Sequence, residues 1–336
     1  MGQVFFPNAT WTGTYPNGTT INTDDCTLDL CPLSEAHFTY IPTLYGNAAL
    51  AGIFGIYAAI HMVVGIRFKT WGYMTGMVLG LLLEVLGYAN RIRMHYNPFP
   101  KMPFVLQLVG LTIGPALLSA AIYLCLGRII VVYGQHISRL KPRSYTIIFM
   151  SCDLISLILQ SVGGAMASIA DTQKDTDVGV NVMIAGLIAQ VASLTVFAVL
   201  CADFTIQSRK HWNDREPRYF TLRRTKFWKA FLAGLVTATL AIYIRSVYRV
   251  LELWGGFDSA LANNEPIFMA LEGGMLFIAT TCQTVFHPHY AFQGHWHDAN
   301  FGMGKDKSGI YAEATNDNIE LMSRSNVSLT SVSLGR

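Results

Sequence analysis

The sequence predicts an all-α integral membrane protein with seven transmembrane helices, its amino terminus outside and its carboxyl terminus cytoplasmic. Three observations lead there. Of 336 residues, 52% are hydrophobic and only 13% charged, against about 25% charged in an average soluble domain. The apolar residues gather into seven long blocks, each near the roughly 20 residues that cross a bilayer as a helix. The loops alternate between rich and poor in Lys and Arg, and the rich ones favour the cytoplasm. A net charge of +3, thinly scattered, presents no basic face for nucleic acid.

The blocks run near Leu44–Ile66, Trp71–Arg91, Phe104–Val132, Tyr145–Ala170, Val180–Thr205, Lys229–Leu251 and Pro266–Phe286. Lipid offers the backbone no hydrogen bonds, so segments of this length close their bonds internally as helices. A membrane barrel would show alternating strands of about ten residues instead. Pro115 and the Gly163-Gly164 pair lie inside spans and mark expected kinks. Gly76 and Gly80 form a Gly-x-x-x-Gly that can bring two helices close, although simple packing is the commoner use.

The orientation follows from the loops. The first has Arg67 and Lys69, the third Arg139, Lys141 and Arg143, and the fifth seven Lys and Arg from Arg209 to Lys226. The second has Arg93 and Lys101, the fourth only Lys174, and the sixth none.

Three regions result: residues 1–43 as an extracellular tail, 44–290 as the membrane domain, and 291–336 as a disordered cytoplasmic tail. The first tail holds no Lys or Arg, and no cleavable signal peptide is expected. Asn8 and Asn17 head acceptor triplets for glycosylation. Cys26 and Cys31 are placed to close a small disulfide loop in an oxidising compartment. Cys125, Cys152, Cys201 and Cys282 fall inside spans and read as small buried apolar residues. The last tail is polar and rich in Ser, Asn and Gly, and buries no core.

Ionisable residues inside spans are costly, which makes them the candidates for function. Glu84, Tyr88 and Arg91 lie on one face of the second span at i, i+4 and i+7. Asp153, Ser156 and Gln160 lie on one face of the fourth at i, i+3 and i+7, and Arg245, Arg249 and Glu252 do so in the sixth at i, i+4 and i+7. In the seventh, Glu265 and Glu272 are one heptad apart, a drift of only about 20°. Four such stripes turned inward make a polar, partly hydrated interior. Structural ion pairs, such as Glu84 with Arg91 or Arg249 with Glu252, are the plainer account of any single charge. The whole set has more acids than arginines, and unpaired acid in a bilayer invites a cation, a proton or a protonated amine.

Other motifs carry less. His287-Pro288-His289 and His295-Trp296-His297 sit at a membrane edge where such residues are ordinary, so no metal is expected. His61 reads as a core histidine. The chain has no P-loop, no Gly-x-Ser-x-Gly elbow and no His-Glu-x-x-His, which argues against an enzyme and against a cofactor.

The stripes, together with Gly114-Pro115-Ala116, Tyr123, Gly127-Arg128, Phe149, Gly186-Leu187 and Gln190, resemble the fungal lipid-translocating exporter family. The likeness runs from about Tyr45 to His287, with the blocks in order along the helices. It departs from the family pattern at Glu272 for a usual Asp, Phe268 for a usual Tyr and His289 for a usual Gly. The resemblance implies a multi-pass protein of the plasma membrane, or of a vacuolar or other endomembrane. Such a protein moves sphingoid long-chain bases or similar amphipathic lipids and confers resistance to toxic lipids or drugs. By position, Glu84, Arg91, Asp153, Gln160, Arg245, Arg249, Glu252 and Glu265 are its polar signature. On this reading Asp153 and Glu84 receive a protonated headgroup amine, Glu272 and Glu265 continue the path outward, and Arg91, Arg245 and Arg249 hold the acids. Two other readings compete: a lipid-sensing receptor of the G-protein-coupled type, and a membrane lipid hydrolase, against which the lack of a histidine cluster counts.

Overall fold

The computed structural model describes residues 26–28, 31, 33, 36, 38, 40–169, 173–212, 215–255, 261 and 263–299. Asn8, Asn17 and residues 300–336 lie outside the described residues. Among the described residues, seven helices are long and apolar enough to cross a membrane. They are α1 (Leu44–Phe68), α2 (Trp71–Tyr96), α3 (Lys101–Tyr133), α4 (Pro142–Ile169), α5 (Gln173–Lys210), α6 (Lys226–Trp254) and α7 (Glu265–Val285). Five of them cover their apolar blocks in full, while α4 ends at Ile169 and α7 at Val285, one residue short of the expected ends. At 38 residues, α5 is the longest; at 1.5 Å per residue it spans about 57 Å, beyond a ~30 Å hydrocarbon core.

Local chemistry sets several ends. Lys69 adopts a left-handed conformation (φ 56°), and its N–H closes on the carbonyls of Gly65 and Ile66, stopping α1. Thr225 Oγ1 accepts from the Trp228 N–H at 3.3 Å to open α6, and Asn264 Oδ1 accepts from the Ile267 N–H at 3.2 Å to open α7.

Successive helices pack as neighbours, and α7 returns against α1 and α6. The most enclosed helix is α3, which touches α2, α4 and α6. Small residues permit the closest approaches. A Cβ on Gly80 would stand 2.9 Å from the Gly114 carbonyl, joining α2 to α3, and one on Gly163 would stand 2.6 Å from the Gly179 carbonyl, joining α4 to α5. Gly76 also faces α3, 3.2 Å from the Leu117 carbonyl by the same measure, so the Gly-x-x-x-Gly is a helix contact.

Packing against the spans continues past residue 290. Ala291, Phe292, Trp296 and Ala299 are buried. Phe292 packs edge-on to Trp228 at 5.0 Å, and Trp296 meets Tyr73 at 6.2 Å and the Arg128 guanidinium at 3.8 Å. Apolar rings with an open helix end to cover are the physical reason. Of the four cysteines in spans, Cys125 is buried as expected, whereas Cys201 and Cys282 are half-buried and Cys152 is exposed. Cys26 and Cys31 are joined by a disulfide, with Cα atoms 5.6 Å apart.

Candidate functional site: an ionic centre among the spans

The stripe residues sort into three groups. The first lies deep among α2, α3, α6 and α7. Arg245 of α6 pairs with Glu272 of α7 and also donates to the Leu111 carbonyl of α3. Pro115 explains that carbonyl. A proline has no N–H to bond the residue four positions back, so Leu111 O lacks its helical donor and the guanidinium fills the place. Arg249 pairs with Glu252 on its own helix and reaches Glu272 at 4.0 Å.

Glu84 of α2 belongs to this group without being paired. It is 0% exposed, neither of its carboxylate oxygens has a hydrogen-bond partner, and its electrostatic neighbours are Arg245, Glu272 and Arg249. Its carboxylate lies against α3, where a Cβ on Gly114 would come within 2.5 Å of Oε1. Tyr88, also buried, lies 3.0 Å from where a Cβ of Gly273 would stand.

The second group closes the end opposite the fifth loop. Arg91 of α2 lies 3.6 Å from Glu265 of α7, donates to Asn47 Oδ1 and the Tyr40 hydroxyl at 3.0 Å each, and stacks on Phe268 at 4.0 Å. Thr43 donates to both Glu265 oxygens at 2.6 Å through its N–H and hydroxyl. Burial pushes the Tyr40 phenol above its ordinary value, and the Arg91 charge opposes that shift.

The third group faces α3 and α5. Asp153 of α4 accepts from the Tyr123 hydroxyl at 2.8 Å through Oδ2, while its buried Oδ1 has no partner. Two turns further along the same face, Gln160 donates to Gln190 of α5 at 3.0 Å. No Lys or Arg among the described residues is ion-paired with Asp153 or Glu84.

The stripes of α2, α4 and α6 are therefore turned inward, but they do not meet in one interior. Glu84 and Arg91 share a face yet stand about 10.5 Å apart along it, so Arg91 pairs with Glu265 instead. Arg249 does pair with Glu252. Glu265 and Glu272 are not one stripe: residues Met269–Gly274 form a π-helical turn, whose wider winding turns Glu272 toward α6 while Glu265 faces α2. Such turns recur at functional sites. Sequence reasoning also passed over Asn47 and Tyr40, the partners of Arg91, because both precede or open α1 without periodic context.

His61 is buried, with Nε2 3.0 Å from the Thr284 hydroxyl and its ring 5.4 Å from that of His287. No group of three or more His, Cys, Asp or Glu among the described residues is placed to hold a metal.

Seven apolar helices, three of which (α2, α6 and α7) are joined by buried ion pairs, define a multi-pass helical membrane protein with an internal ionic centre. The family model described as "RTA1 like protein" matches residues 77–295. The "Sphingoid long-chain base transporter RSB1" of Saccharomyces cerevisiae (strain ATCC 204508 / S288c) is 33% identical over 282 residues, covering 76% of this chain and 74% of that protein. "Protein RTA1" of the same yeast is 27% identical over 212 residues, covering 63% and 64%. "Protoporphyrin uptake protein 1" is 29% identical over 187, covering 55% and 59%. The chain belongs to the RTA1-like family of lipid-translocating exporters. No solved structure matches it.

Proposed function

We propose that this protein exports sphingoid long-chain bases, or similar cationic amphiphiles, across the plasma membrane without hydrolysing ATP, with its basic loops in the cytoplasm. One observation carries the reading. Two carboxyls, Glu84 and Asp153, are buried among the spans with oxygens that have no partner, whereas Glu252, Glu265 and Glu272 each sit beside an arginine. Burying a carboxylate unpaired is expensive, so these two are the groups a protonated amine would stabilise most. The name of a relative covering three quarters of the chain supports the substrate class.

Asp153 is the first acceptor. It lies next to exposed Cys152 and Leu154 on α4, within reach of the lipid-facing surface, and Tyr123 holds one of its oxygens while the other stays open. Glu84 is the deeper acceptor, next to a centre whose arginines are occupied by other acids. The arginines pair with Glu252, Glu265 and Glu272 and fix the helices around the two open carboxyls. The membrane potential acting on the positive headgroup supplies about 2.3 kcal/mol per 100 mV.

The test is flux of a fluorescent sphingoid base across proteoliposomes holding only this protein, compared with Asp153→Asn and Glu84→Gln. Wild-type flux, lost in well-folded variants, is the expected result. Binding of the base without flux in the wild type would sink the transport reading.

A further inference from the structure

Between α3, α5 and α6, at the end that carries the fifth loop, lies a cavity of about 1020 Å³. Ligand sites commonly occupy roughly 300–1,000 Å³. Its wall is apolar, with Ile122, Leu126, Phe197 and Leu235 behind, and Val236 and Leu240 at its open side. Those last two are 60% and 54% exposed, so the cavity is a groove open to the surface that lipid covers. From Lys229 to Leu240 it follows α6 for about 16 Å at 1.5 Å per residue, about half of a ~30 Å hydrocarbon core. It is therefore one leaflet deep.

The mouth is cationic. Arg209, Arg215, Arg223, Arg224 and Lys229 line it beside Trp212, and none of the five is ion-paired among the described residues. Arg215 donates to the Ser208 carbonyl at 2.8 Å, and Arg223 to the carbonyls of Val132 and Glu216 at 2.7 and 2.8 Å. Carbonyls position a guanidinium without neutralising it. Burial lowers Arg215 and Arg223 below the ordinary arginine value, and the neighbouring charges of Arg209 and Arg215 respectively lower them further, as expected where like charges gather unneutralised.

An apolar slot one leaflet deep under a row of unneutralised cations complements an amphiphile with a long tail and a negative head. A sphingoid base, with its positive head, fits the slot but is repelled by the mouth. We propose that this groove binds an anionic phospholipid from the leaflet on the basic side, its headgroup phosphate held by Arg209, Arg224 and Lys229 and an acyl chain lying along α6. The site is separate from Asp153 and Glu84. Basic pockets between spans on that side of a membrane protein have the chemistry to select such headgroups.

Native mass spectrometry of the purified full-length protein, titrated separately with phosphatidylserine, phosphatidylcholine and sphinganine, tests this. Phosphatidylserine is expected to fill one site at least about tenfold more tightly than phosphatidylcholine, each neutralised cation weakening it about fivefold. The triple variant R209Q/R224Q/K229Q should lose the preference, and Asp153→Asn should keep it. Val236→Trp, which fills the slot and leaves the charges, should weaken both phospholipids, a readout that stands if the triple variant fails to fold. Equal affinity for the two phospholipids, a preference that survives the triple variant, or one-for-one displacement by sphinganine would overturn the proposal. Because the probes differ from those of the flux assay, failure here leaves the export reading standing, and the reverse.

Discussion

Arg245 donates to the Leu111 carbonyl, the one that Pro115 leaves without its helical partner. A proline inside α3 and an arginine inside α6 thus form one unit: the gap in one helix is the anchor of the other. Pro115→Ala returns the missing N–H and lets α3 close on itself. In that background Arg245→Met should cost less than in the wild type, with a coupling of about 0.5–3 kcal/mol, measured by a double-mutant cycle of unfolding in detergent. Additive costs would mean that the two residues do not act together.

Glu272 is 0% exposed and paired with Arg245, so removing one partner strands a buried charge. Arg245→Ala should destabilise by about 3–5 kcal/mol. The double replacement Arg245→Met with Glu272→Leu should recover most of that, since an apolar pair strands nothing. The yield of monodisperse protein and its melting temperature in detergent report both.

Arg91 serves four partners at once: Glu265, Asn47, Tyr40 and the Phe268 ring. A lysine has the charge but neither the fork nor the flat face. Arg91→Lys should therefore cost about 1.5–3 kcal/mol and loosen the segment before α1. Faster hydrogen exchange at Thr43 and Asn47, with unchanged exchange in α4, is the expected pattern.

His287 is buried, and its imidazole is pushed down to about 3 by burial first and by the neighbouring His61 and His289 second. The folded protein therefore keeps it neutral where the unfolded chain, titrating near 6.5, takes up a proton. Its stabilising share is complete above about pH 6.5 and is lost as pH falls toward about 3. The melting temperature should drop between pH 7 and pH 5. His287→Asn, which retains an acceptor for the His289 N–H, should show a smaller drop.

Much of the architecture was legible because bilayers impose simple rules. A helix of about 20 residues must be apolar, so block length alone locates all seven spans, and the burial of Glu84, Arg91, Asp153, Arg245, Arg249 and Glu252 follows from i, i+4 and i+7 spacing. Their partners were not legible. Which acid meets Arg91 depends on where α7 stands beside α2, and a heptad rule fails at Glu265 and Glu272 because one π-helical turn changes the winding between them. The packing of Phe292 and Trp296 was hidden for a similar reason: two rings in a polar stretch carry no period, and only the helix ends they cover give them a place.

The sequence by itself determined that this chain is a seven-helix membrane protein, which faces of its helices are polar, and which family those polar faces resemble. These are one-dimensional properties, set by the cost of placing charge and bare backbone in lipid. Only the tertiary structure decided that Arg245 completes the bond Pro115 cannot make, that Arg91 meets Glu265, and that Glu84 and Asp153 are, among the described stripe acids, the ones without an ion pair. Pairing depends on how helices far apart in sequence stand beside one another, and small residues such as Gly80, Gly114 and Gly163 set that distance.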